Sequence, residues 1–284
     1  MTSQHRKTQT FRLAIVFILV LVMQYIPLKA QTEVEKDNEY GCRLSFSADK
    51  KIAKGLHLSL EEELRMDNDF KSFDRLQTTM NLEYKVNRNL KIGAGYALIN
   101  GFSSTGSSFK NARHRFMADA TGSLRLGVWR LSLKERFQAT VRSGDMNEYQ
   151  NPRTALTLKS RLKLEYKGMR NTEPYISVEM RNMFNAPVID ALYNGIDYLT
   201  ETLSTTGEPG WFLDGFNKSY VNRLRTTVGS DFRLSKNSSI DISLMADYVM
   251  EYVVDANAEG TKLKSYTHET GFIGWLTVAY KYSF

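Results

Sequence analysis

From residue 40 onward, apolar side chains recur at every second position through most of the chain. Tyr40, Cys42, Leu44, Phe46 and Ala48 alternate with Gly41, Arg43, Ser45, Ser47 and Asp49. Leu76, Thr78, Met80, Leu82 and Tyr84 alternate with Arg75, Gln77, Thr79, Asn81 and Glu83. A period of two is the mark of a strand whose two faces meet different surroundings. Extended along the chain, it predicts eleven strands: residues 40–48, 56–65, 76–86, 90–98, 113–120, 129–142, 156–166, 176–181, 220–234, 240–251 and 272–284.

Many of these segments exceed the roughly 5–6 residues of an ordinary globular strand. They suit the ~9–11 residues with which a tilted strand crosses a bilayer. The connectors also alternate. Residues 50–55, 87–89, 167–174 and 235–239 are short, whereas 66–73, 100–111, 143–153, 185–218 and 252–267 are longer. Short turns at one end and long loops at the other describe an outer-membrane barrel. The expected fold is therefore all-β: a single antiparallel up-and-down transmembrane β-barrel over residues 40–284. Eleven strands is an odd number, and single-chain bacterial barrels use even ones. Ten to twelve strands are expected, with twelve favoured. The alternative resolution is an N-terminus that begins in the lumen or at the outer end.

The two ends of the sequence agree with this. Residues 11–22, FRLAIVFILVLV, follow a start carrying Arg6 and Lys7 and precede a polar stretch. A basic start, a short apolar run and a small residue before polar sequence predict a secretory signal peptide over residues 1–30, cleaved after Ala30. Residues 31–39 form a polar N-terminal segment. At the other end, Leu276, Val278, Tyr280, Tyr282 and Phe284 place apolar or aromatic groups at alternate positions up to the last residue. That ending resembles the signal read by the outer-membrane barrel assembly machinery. It also serves strand closure, because an open edge in lipid leaves backbone groups unpaired.

Composition narrows the partners. The net charge of +7 owes much to the leader: removing Arg6, Lys7, Arg12 and Lys29 from 38 basic residues leaves 34 against 31 acids, a net of +3. The basic residues are scattered, so no nucleic-acid partner is expected. A single cysteine, Cys42, excludes an internal disulfide. The expected partners are outer-membrane lipid and, during biogenesis, the assembly machinery.

The stretches LEEELR (60–65), LEYKV (82–86), ARHRF (112–116) and RLSLKERF (130–137) resemble the outer-membrane barrel family catalogued as domain of unknown function 2490. The resemblance spans nearly all of the mature chain. It implies the fold and an outer-membrane location in a Gram-negative-type bacterium, and it implies no activity.

Candidate chemistry is sparse. His57, Ser59 and Glu61 share one strand face, and the spacing resembles the His-x-Ser pair of lipid A deacylases. Such a pair would need a base-activated serine, but His57 follows a short turn and so lies at the end away from the outer leaflet. Asp67-Asn68-Asp69 offers oxygens for calcium, although a bare turn of this kind is ordinarily solvated. No catalytic residue, metal site or cofactor is assigned. The polar face is more informative. Glu61, Glu63, Arg65, Glu83, Arg130, Lys134, Arg136, Arg161, Lys163, Glu179 and Arg181 are expected to line the lumen as a charge network. Buried charges must be paired or wet, so the network either fills a narrow barrel or lines a narrow passive pore. The expected function is non-enzymatic, as a pore or a structural membrane barrel. An outer-membrane lipid hydrolase and a secreted soluble β-sandwich are the alternatives.

Overall fold

The computed structural model describes residues 33–35, 38–103, 108–144, 152–191, 211–213, 215–256 and 263–284. The predicted leader, residues 1–30, lies outside the described residues, as does most of the 185–218 connection. The strands are β1 (Glu33–Glu35), β2 (Glu39–Ala53), β3 (Leu56–Asp67), β4 (Ser72–Lys85), β5 (Leu90–Gly101), β6 (Arg113–Leu126) and β7 (Trp129–Arg142). They continue as β8 (Thr154–Tyr166), β9 (Thr172–Ala186), β10 (Ile189–Ala191), β11 (Trp211–Leu213), β12 (Lys218–Arg233), β13 (Ser238–Ala256) and β14 (Leu263–Ser283). The short β10 and β11 pair with each other, apart from the main sheet.

The eleven long strands pair in sequence from β2 to β14, and β14 pairs back onto β2. The favoured count of twelve is thus corrected to eleven among the described residues, within the expected range. Every predicted segment falls on one of the eleven. The expectation of a wholly antiparallel barrel is also amended. With an odd number of alternating strands, the first and last run the same way, so the closing pair must be parallel. Its register runs from Glu39↔Ile273 to Asp49↔Ser283, while the other ten pairings are antiparallel. β1 prolongs this seam, with Glu33↔His268 and Glu35↔Thr270 also parallel. The N-terminal segment therefore enters at the end with the long connections. Because the sheet closes on itself, no second large sheet covers its apolar face among the described residues, unlike in the sandwich alternative.

Local chemistry explains the alternating connector lengths. β2 and β3 join through Lys54 and Gly55, and Gly55 takes a φ of +78° that an L side chain resists. Outward positions are apolar: Leu44, Phe46, Leu60, Met80, Phe116, Val228 and Leu244 are all exposed, Leu244 at 67%. A soluble protein rarely leaves so continuous an apolar surface uncovered. Aromatics mark both rims. Trp129 and Tyr166 pack at 4.9 Å and Tyr282 against Phe284 at 4.9 Å at the short-turn rim, while Tyr96 and Phe116 pack at 5.5 Å toward the other. Two girdles of this kind flank the lipid band of membrane barrels.

The inward face is tightly filled in places. Ala97, Ile99 and Met117 form a buried apolar cluster on β5 and β6. Gly95 relieves crowding there: a Cβ would lie 2.3 Å from Asn81 Oδ1 and 3.0 Å from Met117 Cε.

Candidate functional site

The barrel interior gathers the charged residues, and register decides who meets whom. Across β6 and β7, Asp119 lies directly opposite Arg136, which donates Nε–H to Oδ1 at 2.7 Å and Nη2–H to Oδ2 at 2.6 Å. Lys134 approaches the same carboxylate at 2.9 Å. Across β7 and β8, Arg130 faces Glu165 at 3.8 Å, and Lys163 reaches that carboxylate at 3.0 Å. Lys91 donates to Glu83 at 2.7 Å. Near the closing seam, Lys281 sits between Asp231 at 2.9 Å and Asp241 at 3.5 Å.

At mid-height lies the most deeply buried of these charges. Asp247 on β13 has no solvent exposure. Its registered partner Arg225 grips both carboxylate oxygens, with Nε–Oδ1 at 2.5 Å and Nη2–Oδ2 at 2.7 Å. Arg223 Nη1 adds a bond at 3.3 Å and Trp275 Nε1 one at 3.2 Å. Arg43 stacks over the Trp275 ring at 4.3 Å, with Nη2 3.9 Å from Asp247. Around this centre, Glu63 holds Arg65 at 2.5 Å, and Glu179 lies between Lys159 at 4.0 Å and Arg225 at 3.8 Å. Arg181 donates to Asn222 at 2.7 Å and reaches Glu251 at 3.5 Å. Charges need such partners in a low-dielectric interior, where an unpaired ion costs several kcal/mol.

Of the eleven predicted lumen residues, nine make an ion pair inside the barrel. Glu61 and Arg161 make no direct ion pair among the described residues. Glu61 interacts at longer range with Arg136 and Lys281 across the lumen, and Arg161 lines a small cavity with Lys159 and Glu179. The central carboxylates, Asp119, Glu165 and Asp247, were missing from the predicted set. Alternation does place them on the polar face. Their importance comes from cross-strand register, which composition does not reveal.

Two acids also interrupt the apolar outward rows among the described residues. Glu62 and Glu135 fall on apolar positions of β3 and β7. Each accepts a hydrogen bond from a hydroxyl on the next strand, Glu62 from Thr78 at 3.0 Å and Glu135 from Ser160 at 2.6 Å. These two interruptions of the alternation were the available signal.

The histidine candidate stands at the short-turn end, in a cavity of about 390 Å³ bordered by Asp49, His57, Ser59, Glu83, Asp119 and Arg136. His57 Nδ1 lies 3.1 Å from Asp49 Oδ1, and Asp49 faces Ser59 in register. Ser59 makes no hydrogen bond to the ring among the described residues. His114 and His268 point outward near the opposite rim, where His114 Nδ1 meets the Tyr96 hydroxyl at 2.7 Å and His268 packs on Tyr252 at 4.7 Å. The three histidines share no site. In the candidate calcium turn, Asp67 accepts from Ser72 at 2.6 Å and Asp69 from the Tyr40 N–H at 3.3 Å.

Leu276, Val278, Tyr280, Tyr282 and Phe284 lie on the outward side of β14, at the parallel seam. Tyr280 stacks on Phe46 at 5.8 Å, and the Phe284 N–H donates to the Asp49 carbonyl at 2.9 Å.

No curated protein matches this sequence. Among solved structures, it is similar to outer-membrane expressed OmpT of Vibrio cholerae, with a TM-score of 0.32 and 9% identity over 75% of this chain and 60% of that one. The chain thus spans less than two thirds of that protein's length. A family model described as a protein of unknown function, DUF2490, matches residues 44–252, from within β2 to the later part of β13. With most of the barrel inside that match, the chain belongs to the DUF2490 family.

Proposed function

We propose that this protein is a non-enzymatic outer-membrane barrel, exported by its leader, inserted through its C-terminal aromatic strand and closed to solutes by an ion-paired interior. It would act as a structural body in outer-membrane lipid. One observation carries this reading: Asp247, at mid-height in the lumen, is completely buried among Arg225, Arg223 and Trp275. A conducting pore keeps its charged lining in contact with water. Here Arg225, Glu179, Glu63 and Arg65 each expose no more than 15% of their side chains. Planar-bilayer recording of the purified protein tests it. A closed body gives no sustained conductance steps, whereas stable, ohmic steps would replace this reading with the narrow passive pore.

The lipid hydrolase remains the second reading, favoured by the Asp49–His57 contact beside Ser59 in an open polar cavity. A carboxylate that orients a histidine beside a hydroxyl is the arrangement of activated nucleophiles. Mass analysis of lipid A from cells expressing wild type and Ser59→Ala decides it, because an unchanged acyl pattern removes the enzyme.

A further inference from the structure

Among the described residues, three inward arginines at the long-connection end form no ion pair with a carboxylate. Arg113, the first residue of β6, lies directly opposite Arg142, the last of β7. Like charges placed opposite each other across a ladder destabilise it. One layer deeper, Arg115 donates Nε–H to Thr140 Oγ1 at 3.0 Å. The charges that act most strongly on Arg115 are Arg65, Arg75, Arg181 and Arg113, all cations contributed by β3, β4, β9 and β6.

Nearby acids are engaged elsewhere. Asp74 attracts Arg113 but is held by Arg75 at 2.5 Å. Glu63 is held by Arg65, Glu251 by Arg181 and Asp247 by Arg225. Like charges also face each other in register at Arg43–Arg65 and Arg181–Arg223, but each of those four reaches a carboxylate within 4.0 Å, which Arg113 and Arg142 do not among the described residues. Cations gathered in a low-dielectric interior need a counter-charge. The guanidinium fork matches the oxygens of phosphate, which it can bind through paired hydrogen bonds.

We propose that Arg113, Arg115 and Arg142 form a binding site for a phosphate-bearing anion at the long-connection mouth of the barrel. The anion supplies a counter-charge that the described residues do not provide. It lies nearer the long-connection end than the buried Asp247 layer and is reached from that end. Free phosphate and a phosphorylated lipid headgroup share the required chemistry.

The test uses the full mature barrel, purified in an uncharged maltoside detergent and verified as folded by heat-modifiable gel migration. Inorganic phosphate is titrated calorimetrically into wild type, Arg115→Gln, Arg142→Gln and, as a control at the opposite rim, Arg233→Gln. Saturable binding is expected in wild type and the control. It should weaken at least about tenfold in the other two, since one charge-assisted hydrogen bond contributes more than a decade of affinity. Arg142→Gln should also raise the unfolding midpoint in phosphate-free buffer, because it removes the repulsion with Arg113. In a parallel arm, nanodiscs containing phosphatidylglycerol replace free phosphate. Stabilisation only in that arm, lost in Arg115→Gln, identifies a headgroup as the ligand. Binding unaffected by both substitutions, or no effect in either arm, overturns the site.

Discussion

Arg225 and Asp247 face each other across the β12–β13 ladder and join through two hydrogen bonds, at 2.5 and 2.7 Å, with the aspartate fully buried. Two further arginines and an indole N–H converge on the same carboxylate. Asp247→Ala leaves these cations buried without their counter-charge. Removing one partner of a buried pair costs about 3–5 kcal/mol. The urea midpoint of the purified barrel should fall accordingly. A change under about 1 kcal/mol would mean that water already solvates this layer and that the interior is open.

Gly41 makes room for Trp275. A Cβ at position 41 would lie 2.3 Å from the Met66 carbonyl oxygen and 2.6 Å from the indole ring. Gly41→Ala therefore displaces Trp275 from beneath Arg43. Overpacking of this kind costs about 1–3 kcal/mol. The expected signature is a red-shifted tryptophan emission together with a lower unfolding temperature, and unchanged emission would count against the close contact.

Glu62 and Glu135 occupy mid-strand positions on the face that the proposed function gives to lipid. A polar group there is costly even with the single hydroxyl partner that each possesses. Glu62→Leu and Glu135→Leu should each stabilise the barrel by about 1 kcal/mol when unfolding is measured in lipid bilayers. Equal or lower stability would show that these carboxyl groups meet something other than acyl chains.

The closing seam depends on the last strand. Tyr282→Asp combined with Phe284→Asp places charge where the two rings pack at 4.9 Å on the outward side. Fractionation should then find little folded, heat-modifiable protein in the outer membrane. Normal assembly of the double variant would remove the role given to the C-terminal aromatics.

Much of this architecture was legible before any coordinates. In β3, Leu56, Leu58, Leu60 and Leu64 announce one face, and His57, Ser59, Glu61 and Glu63 the other, because strand geometry turns successive side chains to opposite sides. Glu62 interrupts that apolar row, and a lone acid there is a signal in itself. The sequence shows which residues carry charge on the polar face, but not which of them pair or which carboxylates lie at the centre. Arg136 and Asp119 are 17 residues apart in sequence, and only the β6–β7 register sets them opposite each other. The same holds for Arg113 and Arg142, whose opposition leaves a basic corner that no count of charges reveals.

The period-two rows, the strand lengths and the aromatic terminus come from the order of residues alone, because each is a local property of an extended chain. Three matters belong to the closed sheet. The first is the parallel seam of β2 and β14, which reconciles an odd number of strands with closure. The second is the buried Asp247 centre, and the third is the split between paired and unpaired interior arginines. Each depends on which strands become neighbours and at what offset, and a one-residue slip would exchange the faces of an entire strand.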